Sequence, residues 1–73
     1  MRKVKELRDR KHLSLKQLEA RSGVDSSLIN RIENGKVTPR VDTILKLARA
    51  LEVSVDELLS DFELNSVQEK AVA

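Results

Sequence analysis

Apolar residues recur along this chain at helical intervals, separated by short polar breaks. Residues 2–11 set Val4 and Leu7 on one side and charges elsewhere, which predicts a first helix. Ser14 follows Leu13 and precedes Gln17 by three residues and Leu18 by four, the spacing of a capping box with a hydrophobic staple, so a second helix starts there. Asp25 repeats part of this arrangement. Its carboxylate can accept the unpaired amide hydrogens of a new helix, while Val24 and Ile29 occupy the staple positions, which predicts a third helix over residues 25–33. Gly23 just before it permits the positive φ that ends one helix and turns the chain into the next. Only about three residues then separate helices 2 and 3.

Further along, Ile44, Leu47, Ala48 and Leu51 form an i, i+3, i+4, i+7 stripe, so residues 41–51 predict a fourth helix. Ser54 with Glu57 makes another capping box and Val53 with Leu58 another staple, placing a fifth helix from residue 54 to near Ser60. The predicted class is all-α, with one domain over residues 1–60. Residues 61–73 are polar and acidic with Phe62, Leu64 and Val67 scattered through them; this tail is expected to be disordered, to extend helix 5, or to pack on a partner subunit. His12 closes the first helix, at a position where the left-handed conformation is common, and reads as a turn residue rather than a ligand or proton carrier.

Winding residues 26–33 at about 100° per residue puts Leu28, Ile29 and Ile32 on one side and Ser26, Ser27, Asn30 and Arg31 on the other. Such a polar face suits water. It also suits base edges, because Arg can fork to guanine, Asn to adenine, and Ser can serve either. Charge separates these readings. Residues 1–50 hold 13 Lys or Arg against 6 acids, a balance of +7, whereas residues 51–73 hold 1 against 6, a balance of −5. The basic part carries the two closely joined helices, and a field of that sign attracts phosphate without specifying sequence.

Composition removes other classes. The chain of 73 residues has no cysteine, hence no disulfide framework and no thiolate metal site. It has no apolar run near the roughly 18 residues of a membrane span. The basic start Met1-Arg2-Lys3 lacks the apolar stretch of a secretory signal, so a cytoplasmic location is expected. One histidine on a turn supports no nucleophilic triad, and Gly23 and Gly35 are too few and too far apart for a phosphate loop. The expectation is a protein that is not an enzyme and uses no cofactor and no metal.

Leu7-Arg8, Leu13-Ser14, Leu18, Gly23-Val24, Ile29, the run Ile32-Glu33-Asn34-Gly35-Lys36, Pro39, and the ending from Ala50 through Leu51-Glu52-Val53-Ser54-Val55-Asp56-Glu57-Leu58-Leu59 together resemble the XRE-type, or Cro/C1-type, family of lambda-repressor-like helix-turn-helix domains. The resemblance spans about residues 4–59. It implies five helices, a helix-turn-helix formed by helices 2 and 3, double-stranded DNA as partner, a homodimer, and helix 3 as the reader of bases. It further implies that Arg8 and Glu33 form an ion pair between helix 1 and the end of the reader. Two departures from the family pattern stand out: Leu15 replaces a frequent Gln, deleting one polar contact, and Glu19 replaces a small Ala.

On this reading Ser26, Ser27, Asn30 and Arg31 read bases. Ser14 at the start of helix 2, with the positive end of that helix's dipole, and Asn34 and Lys36 in the loop after the reader hold the DNA backbone. Arg40 stands where relatives commonly place a capping Ser. It has two readings: reach to a phosphate or the minor groove, or an exposed arginine with Asp42 as a displaced cap. The dimer surface is expected around Glu52, Val53, Val55 and Leu59. The simplest function is a repressor occluding a promoter. Two alternatives stay open: an antitoxin that represses its own operon and binds a toxin, and a protein-interaction module holding another regulator, such as an antirepressor, through the segment from Phe62 to Val67.

Overall fold

The computed structural model describes residues 1–60, which form five helices and no strand: α1 (Arg2–Arg10), α2 (Leu15–Ser22), α3 (Ser26–Glu33), α4 (Val41–Leu51) and α5 (Val55–Leu58). The expectations placed on the tail, including Phe62 to Val67, lie outside the described residues. This is the lambda-repressor-like arrangement, in which α3 packs on α1 and α2 while α4 packs on α1, α2 and α5. Val4, Leu18, Ile29, Ile32, Leu47 and Leu51 are fully buried where these helices meet. The α4 stripe is core as its spacing predicts, with Leu47, Ala48 and Leu51 buried and Ile44 partly so. On its other side α4 leaves Val41 and Leu45, one turn apart, exposed.

Helix ends follow local chemistry. At the start of α2, Ser14 Oγ accepts from the Gln17 amide at 3.0 Å and Gln17 Oε1 accepts from the Ser14 amide at 2.8 Å, a complete capping box. Asp25 Oδ2 accepts from the amides of Ser27 and Leu28 at 2.9 and 3.3 Å, so Asp25 caps α3 and the helix proper begins one residue later than predicted, at Ser26. Gly23 is left-handed at φ 79°, and its amide donates to the Glu19 carbonyl at 2.8 Å. The three residues Gly23, Val24 and Asp25 are the whole connection between α2 and α3.

α1 ends at Arg10 rather than Lys11. His12 adopts φ 58°, its amide donates to Asp9 O and that of Leu13 to Arg8 O, a Schellman motif that takes Lys11 out of the helix. α5 is shorter than predicted, ending at Leu58 instead of near Ser60. The Ser54 hydroxyl caps it by accepting from the Glu57 amide at 3.0 Å, but the Glu57 carboxylate faces Lys3 Nζ at 3.4 Å instead of completing the box. Ser60 falls in a turn closed by its amide on the Glu57 carbonyl.

Candidate nucleic-acid interface

α3 is held from behind and open in front. Ile29 and Ile32 are fully buried, whereas Ser27, Asn30 and Arg31 are exposed on the outer face. Ser26 differs from its expected full exposure: as the first residue of α3 it follows directly on the tight turn and is half-buried. Leu28, placed on the inner side, is likewise half-buried.

The back of α3 is anchored by Arg8. Its Nε and Nη2 donate to Glu33 Oε2 and Oε1 at 2.7 and 3.1 Å, a forked ion pair, and its Nη1 donates to the Leu13 carbonyl at 2.8 Å. One guanidinium thereby ties the end of α1, the residue before the α2 cap, and the end of α3. The hydrogen bond to Glu33 raises the Arg8 pKa above its ordinary value, against the opposing pull of burial. The Glu33 side chain is only 3% exposed, so the charge is tolerable only while its partner stays in place. The N-terminal amine of Met1 adds a second tether, donating to the Ile32 carbonyl at 2.8 Å.

Around this rigid helix stand the groups expected to meet phosphate. Ser14 is exposed at the start of α2; its hydroxyl oxygen is engaged by Gln17, which leaves the hydroxyl hydrogen to donate outward. Lys36 closes the Schellman turn after α3 through its amide on the Arg31 carbonyl at 2.9 Å, with Gly35 left-handed at φ 71°, and its exposed side chain makes no ion pair among the described residues. Arg40 occupies the cap position of α4 without capping it, and its guanidinium, 89% exposed, lies 3.9 Å from Asp42. Asp42 itself lies inside the first turn of α4, where its charge meets the positive end of the helix dipole. Asn34 differs from the rest. Its amide nitrogen faces back onto Asn30 rather than outward.

The residues expected at the dimer contact lie on the turn between α4 and α5, at the start of α5 and just past its end: Glu52 is exposed, and Val53, Val55 and Leu59 are half-buried. Glu52 carries an interaction that the sequence does not signal, a 3.0 Å pair with Lys11 Nζ from α1. Hydrogen bonding to Lys11 is the main reason its carboxyl sits below the usual glutamate range. Of the departures from the family pattern, Glu19 pairs with Lys16 at 3.5 Å, and Leu15 packs against the edge of the core.

This geometry agrees with comparison against known proteins. A helix-turn-helix family model matches residues 4–58, and the chain belongs to that family in its Cro/C1-type, or XRE, branch, whose members are DNA-binding transcriptional regulators. Among curated relatives, the transcriptional regulator RghRB of Bacillus subtilis is 43% identical over 58 residues, covering 78% of this chain and 42% of the relative. The transcriptional repressor RghR of the same organism is 42% identical over 57 residues, covering 77% of this chain and 42% of the relative. The transcriptional activator BcrR of Enterococcus faecalis is 33% identical over 67 residues, 92% of this chain and 33% of the relative. The chain thus spans about two fifths of the length of the Bacillus relatives, 42% in each case. No solved structure matches it significantly. Among the described residues, no helix is long and apolar enough to cross a membrane.

Proposed function

We propose that this domain reads double-stranded DNA as a homodimer and acts as a repressor, laying α3 into the major groove of a near-palindromic operator. The observation that carries the reading is the contrast across α3: a back clamped by Arg8, Glu33 and buried isoleucines, and a front bearing exposed Ser27, Asn30 and Arg31. A rigid helix with short polar groups and one guanidinium on its free side meets the requirement for base readout, since phosphate contacts position and base contacts specify. Ser26, Ser27, Asn30 and Arg31 are the base-reading set. Ser14, Lys36 and Arg40 hold the backbone.

Repression is the sign favoured by the 42% identity to RghR, a transcriptional repressor by name. Two readers related by a twofold axis must stand about one DNA turn apart, roughly 34 Å, to enter successive major grooves. The α5 surface, with Glu52, Val53, Val55 and Leu59, is the candidate contact that sets this spacing. Selection of bound sites from random duplex DNA tests the proposal: it should return two inverted half-sites with centres one turn apart, and sedimentation should find two chains per duplex. Failure to enrich any sequence would overturn specific binding, and one chain per duplex would overturn the dimer.

A further inference from the structure

The hydrogen bonds at the end of α3 fix the orientation of one base-facing side chain. Asn34 Nδ2 lies 2.8 Å from the main-chain carbonyl oxygen of Asn30 and 3.0 Å from Asn30 Oδ1. The carbonyl can only accept, so the Asn34 atom facing it is the NH2 and not the oxygen. That NH2 offers no lone pair, so the Asn30 atom facing it is in turn the amide oxygen. Neither amide can flip without setting donor against donor or acceptor against acceptor. The backbone of Asn34 is itself placed by the helix end, its amide donating to the same Asn30 carbonyl at 3.1 Å.

We infer that Asn34 is a positioning residue for base recognition: by donating to Asn30 Oδ1, it holds the Asn30 amide in one flip state and so fixes which end accepts and which donates. This rests on α3 being the base-reading helix. A free asparagine forks to adenine, its oxygen accepting from N6 and its nitrogen donating to N7. Asn30 Oδ1 keeps a second lone pair beside the Asn34 contact, so the held amide offers acceptor and donor to that fork in one fixed orientation. The N6 amino group and N7 of adenine match that pair, whereas guanine sets its O6 acceptor against the amide oxygen. Both hydrogen bonds of Asn34 Nδ2 run to Asn30, so a phosphate contact would compete with them.

The test measures binding to duplexes carrying each base pair at the position whose preference is lost in Asn30→Ala. Wild-type protein should favour adenine over guanine there by roughly 5- to 150-fold, the range of one good side-chain contact to a base edge. Asn34→Ala should narrow that ratio by about fivefold, the effect of one lost hydrogen bond, while leaving preferences at other positions and the salt dependence unchanged. In the Asn30→Ala background, Asn34→Ala should change no preference. A melting curve on each variant establishes that folded protein is compared. Guanine preferred by the wild type, or an Asn34→Ala effect equal on all sequences, would overturn the inference while leaving α3 as reader. If Asn30→Ala altered no base preference at any position, both the inference and Asn30's part in the reading helix would fall.

Discussion

The connection between α2 and α3 and the connection between α4 and α5 are built alike, yet only one leads into the helix proposed as the reader. In the first, Gly23 is left-handed, Val24 is buried, and Asp25 caps the next helix; in the second, Glu52 is left-handed at φ 61°, Val53 is half-buried, and Ser54 is the cap. Position for position the turns correspond. The helices that follow do not. α3 has eight residues with Ser27, Asn30 and Arg31 exposed, whereas α5 has four and carries Asp56 and Glu57 in its first turn. Acidic groups there oppose phosphate, and so short a helix presents barely one turn of side chains. A tight helix-turn-helix therefore supplies placement only; length, free side chains and sign of charge are what suit the second helix to the proposed reading.

The largest effect is expected at the anchor of α3, a buried forked pair where α5 has the more exposed Lys3–Glu57 contact to α1. Glu33→Ala strands the Arg8 charge and should cost about 3–5 kcal/mol of stability in denaturant unfolding. Glu19→Ala, which removes only a surface partner of Lys16, should cost less than about 1 kcal/mol. Similar losses in the two variants would show that the forked pair does not anchor the reader.

The turns themselves give the next largest effect. Beyond its own chain neighbours, no atom lies within 4 Å of where a Gly23 side chain would begin, so Gly23→Ala isolates the backbone cost of φ 79°, and it should destabilise by about 1 kcal/mol. Glu52 already bears that cost. In Glu52→Gly, relief of strain is offset by the lost Lys11 pair and the freer unfolded chain, so stability should stay close to that of the parent. A larger loss in Glu52→Gly than in Gly23→Ala would mean that the two turns are not equivalent.

The smallest effect depends on pH. Lys11 lowers the Glu52 carboxyl below its ordinary value in the folded state, so the pair stabilises above the unfolded glutamate range, and that increment is lost as pH falls through the folded value. Melting temperature plotted from neutral pH into the acid range should fall slightly less steeply in Lys11→Met than in the parent, with the difference confined to the range at and below the usual glutamate value. Parallel curves would remove the pair from the account of this turn.

What was legible in the sequence was local. Ser14 with Gln17, Asp25, Gly23 and the left-handed His12 each act within a few residues, and each is found in its expected conformation. The four inner residues of α4 were legible through spacing alone. Glu52 was not, because glutamate has no preference for the left-handed region and is held there by the Schellman bonds of the α4 end, Glu52 N to Arg49 O and Val53 N to Ala48 O. Lys3 with Glu57, Lys11 with Glu52 and the Met1 amine on Ile32 join residues far apart in the chain, where no local spacing points to them. Asn30 and Asn34 are the intermediate case. Their i, i+4 spacing signals a possible amide contact on a helix, but read as separate DNA-contacting groups they conceal their bond to each other.

The central claim is that the exposed side of α3 specifies sequence while its flanks only hold phosphate. Its most direct test compares binding sites selected from random duplex DNA by the parent, Arg31→Ala and Lys36→Ala. Arg31→Ala should change the preferred base at one or two positions per half-site, worth about 1–3 kcal/mol, whereas Lys36→Ala should keep the motif, weaken all sequences alike and flatten the salt slope. An unchanged motif from Arg31→Ala would contradict the account.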